Sequence, residues 1–263
     1  MADTHVATEA RQRIPLNGWM TTLSPVATFI VVLAVWQLVA VTIEPGWLPP
    51  LTDIFDQMWS HIADGSFVAA GVSTLRTLVI GLLITMAIAA ALAALLGLSD
   101  LIDEALTTVL GGLMAVPTVA LIPIFVFIWG LSETSVVMSV VSFALLPLTL
   151  QWATALREVP DPLIEMSRSF GANRFQLAWT IYLPSVAPLL LTGLRVAIVQ
   201  AIKGVISAEV IIGTIGIGKL LIVESSTFDI AGVWAVIVLI IIASLISYAV
   251  LMWLETRASR WAD

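Results

Sequence analysis

The sequence contains no cysteine, which rules out disulfides, thiolate metal ligands and cysteine nucleophiles. Histidine is nearly missing. His5 and His61 stand alone in polar flanks, and no H-E-x-x-H or paired-histidine spacing exists, so no metal site and no metal-based chemistry is expected. Charge is scarce: Asp, Glu, Lys and Arg make up 11% of the chain, against roughly a quarter in soluble domains. Hydrophobic residues make up 60% and the mean hydropathy is +1.06, which together describe an integral membrane protein. The formal charge of -7 supplies no basic patch for nucleic acid. The opening MADTHVATEARQRIPLNG lacks a positive stretch leading into a short apolar core and a small-residue cleavage site. It reads as a retained, mostly disordered tail.

What the chain does have is long apolar runs, at 24–43, 67–98, 105–129, 135–156, 188–213 and 231–254. At about 20 apolar residues per crossing these give an all-α membrane protein with about six transmembrane helices. Trp19 and Trp47 flank the first run where aromatic belts lie. Ile54, Met58, Trp59 and Ile62 share one face of an amphipathic interfacial helix. In the second run Ala89, Ala93 and Gly97 put small residues at every fourth position, which admits a close neighbour, and Arg76 near its start reads as a snorkelling anchor. Pro117 and Pro123 lie inside the third run. Each frees a backbone carbonyl, which places that helix inside the bundle beside the pathway. Pro147 is an expected kink in the fourth.

With a cytoplasmic N-terminus, Arg11, Arg13, Arg157, Arg168, Arg174, Arg257 and Arg260 flank the inner ends and only Lys219 lies in an outer loop. That distribution fits the positive-inside rule and puts residues 161–184 in the cytoplasm. The segment reads DPLIEMSRSFGANRFQLAWTIYLP. Asp161-Pro162 is a helix start, with the carboxylate placed to cap. Leu163, Met166 and Phe170 fall on one stripe, Glu165 and Arg168 share another face, and Gly171 ends the helix. A second helical piece from about Asn173 carries Phe175, Trp179 and Tyr182 on one face, and Pro184 stops it.

Glu165, Gly171, Ile181, Leu183 and Pro184 stand at the spacing E-x5-G-x9-I-x-L-P. This pattern resembles the EAA loop of bacterial ABC importer permeases, with Met166 and Ser167 where that family usually has two alanines. The resemblance implies a coupling helix seated in a cleft of a cytoplasmic ATPase subunit. In that reading Glu165 makes a polar contact to the ATPase, Met166 and Phe170 are the knobs in its cleft, and Gly171 is the required turn. A second likeness runs along the chain. Ser207-Ala208-Glu209, Gly213 and Gly216-Ile217-Gly218 are similar to the A-E and G-x-G turn of permeases in the nitrate, taurine and aliphatic sulfonate group. Leu48-Pro49-Pro50, Leu75-Arg76, Pro117, Pro123 and Thr192-Gly193-Leu194-Arg195 recur there in the same order, so the likeness covers roughly 45–255.

These resemblances imply a type I ABC importer transmembrane domain at 24–254, with tails at 1–23 and 255–263 in the cytoplasm and a coupling segment at 161–184. They imply a bacterial inner-membrane homodimer on two ATPase subunits, which hold the ATP and Mg²⁺, and an extracytoplasmic binding protein delivering a sulfonate, taurine, nitrate or related small solute. No cofactor is expected in the chain and no enzymatic activity of its own. Gly213, Gly218 and Lys219 do match G-x-x-x-x-G-K, but Leu220 replaces the hydroxyl that Mg²⁺ needs, and a transmembrane run precedes the motif.

Lys203 and Glu209 are intramembrane charges, which demand a reason. Either each meets a polar group on a neighbouring helix or second copy, or Lys203 faces the translocation path and favours an anion. Arg195 reads as a snorkelling anchor. The alternative function is a secondary active transporter using Glu209 or Lys203 as its intramembrane site. That class would bring an internal repeat, and none is evident. An intramembrane enzyme would need a nucleophile and base, for which only Lys203 with a serine stays open.

Overall fold

A stretch of twenty apolar residues in lipid satisfies its backbone only by forming a helix. In the computed structural model, which describes residues 18–97 and 100–259, all the regular structure is helical. Residues up to Asp53 and those from Ile54 onward form two compact units.

The first unit holds α1 (Gly18–Ile43) and a returning turn. The Trp36 indole donates to the Pro49 carbonyl at 3.1 Å, and the Gln37 amide oxygen accepts the Leu51 N–H at 2.7 Å. Leu51 opens α2 (Leu51–Ala63), so Gln37 satisfies a donor that the new helix cannot pair internally.

The second unit continues with α3 (Ser66–Gly97), α4 (Asp100–Leu113), a 3₁₀ turn (Thr118–Leu121), α5 (Ile122–Trp129) and α6 (Glu133–Arg157). It goes on through α7 (Asp161–Ser169), α8 (Arg174–Leu177), a π segment (Ala178–Tyr182), α9 (Leu183–Ile212), α10 (Gly216–Ser226) and α11 (Ile230–Ser259). Asp64 accepts the Ser66 amide at 2.8 Å at the start of α3, and that hydrogen bond holds its carboxyl below the usual range. Among the described residues five helices are long and apolar enough to cross a membrane, or six if the bent pair Ala105–Leu113 and Thr118–Trp129 is one span.

Helix α6 is central, packed most extensively against α3 and α9. Their shared core includes Ala89, Ile122, Val140, Leu148, Ala201 and Val205, all buried. Close approach comes from small residues, as lipid offers little hydrophobic drive for helices to associate. The stripe expected at Ala89, Ala93 and Gly97 extends upward: Thr77, Gly81, Thr85, Ala89 and Ala93 are all buried at four-residue steps. The hydroxyls do not remain orphaned, since Thr85 donates to its own Gly81 carbonyl at 2.8 Å. On α9, Gly193 meets the Trp152 indole and Gly204 meets the Phe143 ring. A Cβ at Gly81 would stand 2.5 Å from Val140 Cγ1. Gly81→Ile should therefore destabilise the α3–α6 contact by about 1–3 kcal/mol, read as a lower thermal midpoint in detergent; an unchanged midpoint would refute this packing.

Three local expectations are corrected. The third run is not one helix: α4 and the Thr118–Trp129 piece meet at 87°. Pro117 has no N–H and disfavours helical geometry at Val116, and Gly111 and Gly112 weaken the turn before it. Pro123 sits at the start of α5, where it costs no hydrogen bond. Pro184 does not stop its helix either. The preceding turn widens, with the Leu183 amide reaching the Ala178 carbonyl, so the helix from Phe175 runs on to Ile212. Asp161 is the first residue of α7 rather than its cap, and Pro160 holds the cap position with no side-chain bond.

Arg157 closes the α3–α4 corner by binding the Asp103 carboxylate and the Leu96 carbonyl. The tail with Arg11 and Arg13, and also Arg260, lie outside the described residues.

Candidate functional site

Helix α7 has two apolar sides with different fates. Ile164 packs on the cluster of Ala155, Val159 and Val186, alongside Ile181 and Tyr182. Leu163, Met166 and Phe170 point away, Phe170 with 85% of its surface exposed. Ser167, one turn after Ile164, is half-buried, so a small residue suits that position, whereas Met166 is open and tolerates bulk. Glu165 is exposed. Sequence reading found the outward stripe and missed Ile164; the signal available was an apolar residue with its i+3 neighbour small.

Both ends of the turn are fixed. Gly171 sits at φ +80°, its amide bonds the Arg168 carbonyl at 2.9 Å, and the Ala172 amide bonds the Ser167 carbonyl at 3.1 Å. That pair is a Schellman motif, which glycine adopts without strain. Asn173 and Gln176 then exchange bonds, Oδ1 accepting the Gln176 amide at 2.8 Å and Oε1 accepting the Asn173 amide at 2.9 Å. Beyond this capping box Phe175 and Trp179 are exposed with ring centroids 6.0 Å apart, while Tyr182 turns inward with Ile181. Leu183 and Pro184 are exposed at the start of α9.

The second polar centre is Glu209, with no exposed surface. Its Oε2 accepts the Thr74 hydroxyl at 2.9 Å and the Gly218 amide at 3.2 Å, while Thr74 Oγ1 accepts the Ile217 amide at 3.0 Å. One carboxylate thus ties α9 to α3 and α10. Oε1 has no partner among the described residues. Gly213, at φ +69°, ends α9 with its amide on the Glu209 carbonyl at 2.7 Å. A Cβ at Gly216 would fall on the Glu209 carboxylate, and one at Gly218 would lie 2.5 Å from its backbone. The A-E and G-x-G elements are therefore two halves of one contact. The Ile217 and Gly218 amides are spent on Thr74 and Glu209, so the phosphate-loop spelling builds no phosphate cradle.

Lys203 behaves differently from Glu209. It is exposed and makes no hydrogen bond or ion pair among the described residues. Pro117 is exposed beside the break, and Pro123 is exposed at the start of α5. Arg76 pairs with Glu133, Nε to Oε1 at 3.3 Å, on the surface. Sequence reading also passed over the junction of α2 with α10 and α11. His61 Nε2 stands 3.4 Å from Glu224 Oε1, and Gln57 donates to Asp229 at 3.0 Å.

Residues 84–260 match the family described as binding-protein-dependent transport system inner membrane component, and the chain belongs to that family. It is a transmembrane permease of the ABC importer class. Similar proteins include the riboflavin transport system permease protein RibX of Chloroflexus aurantiacus, 30% identical over 61% of this chain and 60% of that one. The formylaminopyrimidine transport permease protein ThiX of Halalkalibacterium halodurans is 26% identical over 91% and 96%. The taurine transport system permease protein TauC of Escherichia coli is 27% identical over 78% and 77%. Among solved structures, a chain of the MetNI methionine ABC transporter in an inward-facing conformation superposes with a TM-score of 0.60. It has 18% identity and covers 72% of this chain and 93% of that chain, a likeness of fold.

Proposed function

We propose that this permease works as a homodimer in which residues 24–254 form one membrane domain and α7 of each copy inserts into a cleft of a cytoplasmic ATPase subunit. ATP and Mg²⁺ belong to that subunit, and an extracytoplasmic binding protein delivers a small solute to the opposite face. Both termini are cytoplasmic in this reading, which Arg157 and Arg168 near α7 favour over the opposite orientation. The solute class spans sulfonates, taurine, nitrate and related small molecules. ATP-driven closure of the partner would move α7 as a lever and tilt α6 and α9, alternating access to the path.

The observation that carries the proposal is the build of α7. A nine-residue helix gripped by Ile164 and a Schellman turn holds Phe170 out with 85% of its surface exposed and Met166 and Leu163 partly exposed beside it. Tagged protein purified from its native membrane should bring an ATPase subunit with it. Gly171→Pro loses the Arg168 bond and the positive φ, and should reduce solute uptake about tenfold or more while ATP hydrolysis persists. Glu165→Lys should uncouple in the same assay. Normal coupling in both variants would sink the lever. Repeated purification of a stable monomer without an ATPase would remove the importer assembly and bring back a secondary transporter.

A further inference from the structure

Lys203 is exposed within the long helix α9. Its depth can be fixed from two neighbours. Thr74 holds Glu209, which sets Glu209 eight residues, about 12 Å, inside the Ser66 end of α3; Lys203 lies about 9 Å deeper. On α6, the adjacent Gly204 packs against Phe143, midway between Glu133 and Arg157. Both routes put Lys203 near mid-bilayer, where an unpaired ammonium is costly.

A second copy does not neutralise it. In a pair related by a two-fold axis along the membrane normal, whatever faces Lys203 from the partner comes from the same depth. Among the described residues the carboxylate nearest that level on the spanning helices is Glu209, which is wholly buried and engaged by Thr74 and Gly218. Water is the remaining solvent for the charge.

A groove supplies the route. At the α7 end of the bundle a 370 Å³ groove is lined by Gln151 and Thr154 of α6 and Glu158 at its C-terminal cap, with Leu189 and Thr192 of α9. At 3.6 residues per turn, Leu189, Thr192, Gln200, Lys203 and Ser207 fall within an arc of about 80° on α9. The groove's face therefore continues up to Lys203 and one turn beyond; Val196 lies in the same arc between Thr192 and Gln200, so hydrogen-bonding side chains share this face with apolar ones. Independently, the non-helical residues 114–117 are exposed, and the 3₁₀ turn and α5 that follow them touch α9. The amides of Met114, Ala115 and Val116 are bonded within the turn, but carbonyls outside a regular helix at membrane depth belong against water or protein, not lipid.

We infer that Lys203 is the anion-selecting residue of an aqueous passage along this face of α9, suited to small solutes bearing a carboxylate, sulfonate or similar single negative charge. The inference rests on the permease reading above and adds to it the residue and the passage that would select an anionic group. Thr192, Gln200 and Ser207 then serve as exchangeable hydrogen-bond partners on either side of the charge.

The chain's lack of cysteine makes the test direct. In the assembled complex in membrane vesicles, Ser207→Cys introduces this chain's single thiol, one turn from Lys203. It is exposed to sulfonatoethyl methanethiosulfonate, an anion, or trimethylammonioethyl methanethiosulfonate, a cation, and label is read on this chain alone. The anionic reagent should be favoured, and Lys203→Met should shift the ratio of the two rates by at least about fivefold toward the cation. Lys203→Arg should keep the preference, and Lys203→Cys should itself react. A ratio indifferent to Lys203, or no reaction at either position from either side, overturns the inference. Loss of the ATPase subunit from the same preparation would instead overturn the importer assembly, so the two failures are told apart.

Discussion

Gly216→Val is expected to be among the most damaging single substitutions in the membrane domain, costing about 3 kcal/mol or more of stability. Two terms act together. Gly216 sits at φ +71°, which a β-branched residue resists, and its new Cβ would occupy the place of the Glu209 carboxylate. The carboxylate has nowhere to retreat, being fully buried between α3, α9 and α10. Varying Glu209 gives a graded control. Glu209→Leu strands the Gly218 amide, at about 1–3 kcal/mol for the unpaired buried group, and leaves the Thr74 hydroxyl only the Ala70 carbonyl at 3.2 Å. Glu209→Gln retains an acceptor for both and should cost less than either. Thermal midpoints of the detergent-solubilised protein should fall in the order Gln, Leu, then Gly216→Val as most severe. If Gly216→Val melts with the parent protein, α10 does not fold back on Glu209.

Two of the three elements of this contact, on α9 and α10, were visible in the sequence without their relation. Ala208-Glu209 and Gly216-Ile217-Gly218 stood out as spelling, and Glu209 as a charge in need of a partner. Thr74, 135 residues away on α3, carried no signal: a threonine in an apolar run is ordinary, and only packing brings its hydroxyl to Oε2. The same limit explains the third run. Its length and apolarity call for a crossing, and two prolines mark it as irregular. Whether proline kinks, breaks or merely starts a helix depends on where the next helix begins, so Pro117 broke the run, Pro123 began α5, and Pro184 was absorbed by a π turn. By contrast the α7 turn was legible in detail. Gly171 and Asn173 act through hydrogen bonds within a few residues, which spacing alone specifies.

Locality also decides which side of α7 matters for which property. Phe170→Ala removes a ring that is 85% exposed and touches little of its own chain, so its effect on the protein's own stability should stay within about 0.5 kcal/mol. If that ring fills a pocket on the ATPase subunit, truncation should weaken retention by about 2 kcal/mol, roughly thirtyfold. Ile164→Asp should behave in the opposite way. It introduces a carboxylate against Ala155, Val159 and Val186; Arg157 lines the same groove but is already bound to Asp103 and the Leu96 carbonyl. The seat of the helix should loosen at a cost of about 2 kcal/mol or more, lowering the thermal midpoint and the coupling together. Thermal unfolding and ATPase co-elution measured on both variants separate the two roles. An unchanged midpoint with lost ATPase for Phe170→Ala, beside a lowered midpoint for Ile164→Asp, is the expected pattern. Full retention and coupling in Phe170→Ala would mean that the exposed edge of α7 is not where the ATPase is held, whatever the stability of its seat.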